Sequence, residues 1–207
     1  PGPGPNAPVI NGNNADASAF VMKKSAGVSN VIIEGFEIKN FDNPLALFTG
    51  GIGSGVLAWN AGTSNITIKD NFIHDMGWNG ILAGSDDGSL QEEWTIKDNI
   101  IEDSDYAAIE LTNIKNSLVE LNEIKVGSGI SWDPEDSGVG IEIAVRDHGT
   151  GVNARDNIVR NNSISNDSDT GTIAGPRAGI NILSRAYASS SNSLLEDISL
   201  INNIVNG

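Results

Sequence analysis

One short apolar motif returns six times along this chain, and a chain built that way cannot fold as an ordinary globule. It reads Ile68-Lys69-Asp70-Asn71-Phe72-Ile73, Ile96-Lys97-Asp98-Asn99-Ile100-Ile101 and Val119-Glu120-Leu121-Asn122-Glu123-Ile124. It continues as Val159-Arg160-Asn161-Asn162-Ser163-Ile164 and Leu200-Ile201-Asn202-Asn203-Ile204-Val205. An earlier copy, Ile33-Glu34-Gly35-Phe36-Glu37-Ile38, carries Phe36 where the others carry Asn. A unit this small cannot bury its apolar face alone, so successive units must stack on one another.

The interval between equivalent positions shrinks to 23 residues from Asn99 to Asn122 and grows to 41 from Asn162 to Asn203. The short interval sets the bare coil, and the longer ones carry loop insertions. Inside each unit apolar residues alternate, as in Val31/Ile33 and Ile66/Ile68, which is the period of a strand with one buried face. No stretch sustains the period of about 3.6 that a substantial helix needs. A second strand recurs as Gly55-Val56-Leu57-Ala58, Gly80-Ile81-Leu82-Ala83, Ala108-Ile109-Glu110-Leu111, Gly140-Ile141-Glu142-Ile143 and Gly179-Ile180-Asn181-Ile182. The expectation is an all-β solenoid of about six to seven coils. The Asn column reads as structural. Asn tolerates the left-handed backbone of a sharp corner, and stacked amides can hydrogen-bond from coil to coil.

The run Ser64–Asp75 followed by Gly80-Ile81, with the opening Pro8-Val9-Ile10-Asn11-Gly12, resembles the right-handed parallel β-helix repeat of the pectate-lyase-like superfamily. The resemblance extends from about residue 8 to residue 206. It implies a secreted or cell-surface protein that acts on or binds polysaccharide, and it leaves the reaction open, because one fold hosts many functions.

Twenty-seven acidic against twelve basic residues give a net charge of −15. That field disfavours nucleic acid and anionic membrane, and suits solubility or divalent cations. There is no cysteine, and no apolar run approaches membrane-spanning length. Residues 1–7 read as a linker or processed end, and 8–207 as a single domain. Without a visible capping helix at either end, the expectation is a monomeric piece of a longer chain.

Registering the second strands on their opening small residue places Leu57, Leu82, Glu110, Glu142 and Asn181 in one outward row. Adjacent strands lie about 4.8 Å apart, so Glu110 and Glu142 are expected to face solvent side by side. Two such carboxylates repel unless a cation lies between them. With Asp133, from the acidic insertion Trp132-Asp133-Pro134-Glu135-Asp136, they form a candidate calcium set. Four residues further on come Asp86, Ile114, Arg146 and Arg185, with Arg146 and Arg185 on adjacent coils. Arg146, Arg185 and His148, the last in the string Val145-Arg146-Asp147-His148, are the candidate catalytic residues. Asn181 and the indoles of Trp59, Trp78 and Trp132 are candidate sugar contacts. His74 reads instead as a corner residue paired with Asp75.

Three functions follow. The first is calcium-assisted lyase or epimerase chemistry on a uronic-acid-containing polysaccharide. The second is a non-catalytic carbohydrate-binding or adhesin solenoid. The third is a glycoside hydrolase with a carboxylate pair.

Overall fold

The structure is a computed structural model describing residues 2–23, 27–42, 53–87, 89, 91–127, 138–147, 153–166, 178–186 and 194–206. Within these residues all regular elements are strands, and every strand pairing is parallel. They form three sheets. The first runs Val9–Asp16, Glu37–Asp42, Phe72–Met76, Ile100–Glu102, Glu123–Val126, Ser163–Asn166 and Ile204–Asn206. The second runs Phe20–Val21, Val56–Trp59, Ile81–Gly84, Ala107–Thr112, Val139–Asp147 and Ala178–Ala186. The third begins with Val28–Glu34, Thr63–Lys69 and Gln91–Lys97, and ends with Asn153–Arg160 and Leu194–Ile201. Successive coils pass through the three sheets in turn, one of them entering the third as two short strands, Ile114–Lys115 and Leu118–Glu120, which is the stacking demanded by the repeat.

The inward residues line up as ladders. Ile38, Ile73, Ile101, Ile124, Ile164 and Val205 pair in series along the first sheet. Ile33, Ile68, Ile96, Val119, Val159 and Leu200 do the same along the third. All of these but Val205 and Leu200, together with Val56, Ile81, Ile109 and Ile141 of the second sheet, fill one continuous core. β-Branched side chains suit this arrangement because each packs flat against the same residue one coil away.

The Asn column lies between the third sheet and the first, buried, and is a chain of amides. The backbone N–H and Nδ2 of Asn71 both donate to Asn99 Oδ1, at 3.1 Å each. Asn99 does the same to Asn122, Asn122 to Asn162, and Asn162 to Asn203. Each Nδ2 also donates to a carbonyl of the preceding coil, as Asn99 does to Ile68 O at 3.0 Å. One expectation needs correcting. The left-handed residue at this corner is not the ladder Asn but the residue before it: Gly35, Asp70, Asp98, Leu121, Asn161 and Asn202 all have φ between 52° and 79°. The corner takes the strain one position early, leaving the Asn itself free to turn inward and bond.

Residues 2–7 run along the outside of the first sheet. Gly2 N–H donates to Asp98 O at 2.9 Å, and Pro3, Gly4 and Pro5 line a groove with Phe72 and Ile100. Among the described residues no helix is long and apolar enough to cross a membrane.

Candidate functional site

The register of the second sheet is as the sequence indicated: Leu57 pairs Leu82, Leu82 pairs Glu110, Glu110 pairs Glu142, and Glu142 pairs Asn181. The exposure is not. Glu110 is 2% exposed and Glu142 0%, against the expectation of a solvent-facing pair. The outward face of this sheet carries a layer of its own. Trp78, Tyr106, Ala107 and Val139 pack with Leu57 and Leu82 into a second apolar cluster, with Trp59 at its margin. The indole of Trp78 stacks on the Tyr106 ring, with centroids 4.8 Å apart and planes 8° from parallel. Trp59 lies across Gly84, where a Cβ would come within 2.5 Å of its Cζ3; only glycine fits beneath the ring.

Two buried carboxylates need a counter-charge, and Arg146 supplies it. One terminal guanidinium nitrogen lies 3.2 Å from Glu110 Oε1 and 3.1 Å from Glu142 Oε1, and donates to Tyr106 Oη at 3.0 Å. Neutral donors also reach the two carboxylates. Asn79 Nδ2 reaches Glu110 Oε2 at 3.2 Å, Thr112 Oγ1 donates to Glu110 Oε1 at 2.9 Å, and Asn181 Nδ2 donates to Glu142 Oε2 at 3.1 Å. Arg146 is held in place through its backbone. Its N–H donates to Asn113 Oδ1 at 3.0 Å, and its C=O accepts from Asn113 Nδ2 at 2.8 Å. Asn113, at φ 56°, turns its chain out of the second sheet, so its amide replaces the strand that ends there. For the same reason Ile114 does not lie beside Arg146, as the simple offset suggested. It enters the third sheet and pairs with Gln91.

With both carboxylates ionised the cluster carries one net negative charge. Burial, then the charge of Glu110, push the Glu142 carboxyl up to about 7; Arg146 and Asn181 pull the other way. Burial alone disfavours the Arg146 cation, but Glu110, Tyr106 and Glu142 outweigh it and hold the guanidinium protonated above its ordinary range. The Tyr106 hydroxyl is raised, first by burial and then by Glu110, and stays protonated. The cluster therefore holds one proton that is exchangeable near neutrality, a permanent cation and a permanent hydroxyl donor. It is also incompletely satisfied. Arg146 Nε and Asn79 Oδ1 are buried with no hydrogen-bond partner among the described residues.

The pair does not fit a calcium ion. Calcium takes about 6–8 oxygen ligands, whereas these oxygens already bind a guanidinium, a hydroxyl and two amides. Among the described residues no three His, Cys, Asp or Glu side chains are placed to hold a metal. Asp133, Trp132 and His148 lie outside the described residues. Arg185 pairs with Arg146 in backbone register, and its side chain too lies outside them. The acidic turn at Asp86 and Asp87 closes on itself: Asp86 bonds Asn60, and Asp87 accepts from Ser85 and Ser89. His74 bonds Asp75 at 2.7 Å, as read, and stacks on Phe72, but it lies within the strand Phe72–Met76, paired with Lys39, and not at a corner.

Tyr106, Asn79 and Asn113 were missed. Extending the registration three residues upstream of the inward Ile81 and Ile109 aligns Trp78 with Tyr106, which the backbone bond Tyr106 N–H to Trp78 O confirms. That signal was present in the sequence.

A family model described as the right handed beta helix region matches residues 25–207. No curated protein and no solved structure matches the chain. The parallel three-sheet winding, the Asn ladder and that match agree: the chain belongs to the right-handed β-helix family.

Proposed function

We propose that this β-helix is a secreted, carbohydrate-active domain of the pectate-lyase-like kind that acts on a uronic-acid-containing polysaccharide by lyase or epimerase chemistry. The observation that carries this reading is the cluster on the second sheet: a proton-exchanging Glu142, a fixed cation and a protonated hydroxyl share one place, with two buried polar atoms unpartnered among the described residues. Such juxtaposition of perturbed groups is characteristic of sites that handle protons. Removal of the proton beside a uronate carboxylate needs a counter-charge, a base and a donor. Arg146 takes the counter-charge role; held protonated, it does not serve as the base. Glu142, ionised, takes the proton. Tyr106 donates to the departing oxygen or back to carbon. Trp59, across Gly84, offers an indole face for a sugar ring. Any part for calcium rests with Asp133 and not with the Glu110–Glu142 pair.

The complete burial of Glu142 favours a second reading, a non-catalytic carbohydrate-binding or adhesin module in which the cluster ties three coils together. The hydrolase reading is the weakest, because both carboxylates bond the same nitrogen of Arg146 and neither is free to attack. Incubation with pectate and alginate, with and without calcium, decides among them. Growth of absorbance from an unsaturated product, lost in Glu142→Gln, supports the lyase. Exchange of the C5 hydrogen with solvent deuterium, without chain cleavage, supports the epimerase. New reducing ends without unsaturation support hydrolysis, and binding with no product of any kind leaves the module.

A further inference from the structure

The outward face of the first sheet carries a groove that the chemistry of the second sheet does not use. Glu37, Phe72 and Ile100 follow one another along one outward row, a rung apart, and Glu102 stands two residues beyond Ile100 on the same strand. Pro3 and Pro5 form the further wall and leave a volume of about 350 Å3, within the range of small-ligand sites, about 300–1,000 Å3. The walls are fixed. Gly2 N–H donates to Asp98 O at 2.9 Å and Ala7 N–H to Gly4 O at 3.0 Å, while the Phe72 ring is braced by His74, stacked at 4.2 Å and 22°.

The two carboxylates in the groove are half used. Lys39 donates to Glu37 Oε1 at 2.5 Å, with His74 Nε2 3.5 Å from the same oxygen, and Lys125 donates to Glu102 Oε1 at 2.5 Å. The Oε2 of each has no hydrogen-bond partner among the described residues. The segment that roofs the groove does not supply one: Pro3 and Pro5 have no N–H, and Gly2 and Ala7 spend theirs on carbonyls.

These features select a ligand. It must bring donors for two oxygens and C–H surface for Phe72, Ile100 and the proline rings. Full charge gains nothing, because a cation meets Lys39 and Lys125, which already neutralise the carboxylates, and an anion meets acceptors where it needs donors. The two acceptors stand two rungs apart, about 10 Å along the axis, a span of one to two sugar rings. We propose that this groove is a binding site for a neutral saccharide, seated by its C–H face on Phe72 and Ile100 and held by hydroxyl donors to Glu37 and Glu102. It lies on a different sheet from Glu142 and stands whether or not the second sheet acts on uronates.

The test titrates the neutral tetrasaccharides of glucose, galactose, mannose and xylose, and tetragalacturonate as the charged counterpart, into the intact chain while following its amide resonances. The expected result is saturable binding of at least one neutral probe, with shifts at Ala7, Phe72 and Ile100 and none at Glu110 or Glu142. Two variants outside the core probe the site. Glu102→Ala removes one acceptor, and Gly2→Val lifts the roof, since a Cβ on Gly2, at φ 89°, would lie 2.7 Å from Ile100 Cδ1. Each should weaken binding roughly tenfold, with the unmoved resonances of the second sheet reporting an intact fold. The proposal is overturned if no neutral probe shifts the groove resonances at about 10 mM, or if tetragalacturonate binds there as tightly. Binding undiminished in either variant, or shifts confined to the second sheet, overturns it as well.

Discussion

Two polar columns run along this solenoid, and they solve the same problem with opposite chemistry. Between the third and first sheets, Asn71, Asn99, Asn122 and Asn162 stack with no charge, each satisfying the next. On the second sheet Glu110 and Glu142 stack, and translation makes matters worse, because the repeat places like beside like. An amide is both donor and acceptor, so a column of amides closes on itself; a carboxylate only accepts, and a column of carboxylates must import donors. The import is visible: Arg146, Asn79, Thr112 and Asn181 all converge there, with the Tyr106 hydroxyl accepting from Arg146 beside them. A self-complementary column serves as scaffold. A column that depends on imported charge holds a movable proton, and it marks where a solenoid departs from pure repetition.

The sharpest break of this contrast is Arg146→Met, which strands two buried carboxylates. Unfolding in urea at pH 8 should show a loss of about 3–5 kcal/mol, shrinking in acid as Glu142 takes up its proton. Second in size is the pH profile itself. The Glu142 carboxyl lies near 7 in the folded chain against an ordinary 4.5, so the folded state binds the proton more tightly. Its stabilising contribution is complete below the ordinary value and is lost as pH rises through about 7. Across that window stability should fall by about 3 kcal/mol, and Glu142→Gln should flatten most of it. Asp105, raised to about 6 by burial and then by Asp42 and Asp103, adds a slope of the same sign that survives in the variant. In the neutral column, Asn122→Leu should cost about 2 kcal/mol with no pH dependence, because it orphans Asn99 N–H and Ile96 O and removes one of the two donors to Asn162 Oδ1. A pH-dependent loss there would erase the distinction. Smallest is a gain. Leu121 holds φ 58° at a corner where its equivalents are Gly, Asp or Asn, and Leu121→Asn should raise stability by about 1 kcal/mol in thermal melts.

Much of this was legible in the sequence because a solenoid turns spacing into contact. The pairing of Glu110 with Glu142 and Asn181 needed only a common starting residue. What spacing could not convey was depth. Trp78, Tyr106 and Val139 belong to a layer on the outward side of the second sheet, and the repeat says nothing about whether such a second layer forms. The extent of a strand escaped too: Ala107–Thr112 ends where Val139–Asp147 continues, so counting four residues beyond Glu110 led to Ile114 in a different sheet. The left-handed corner was displaced by one residue because the ladder Asn was credited with two roles, and hydrogen bonding claimed it for one.

The strand of prolines and glycines lying along the first sheet has a mechanical consequence. Gly2 is tied to Asp98, and the segment between Gly2 and Val9 passes Ile100 and Phe72 on its way back to the first coil. Tension on the leading end of the polypeptide is therefore delivered to the middle of the rod before it reaches the outermost rung. The tether must peel away before the rungs begin to unwind, so the leading end resists pulling as a splinted rod and not as a loose coil.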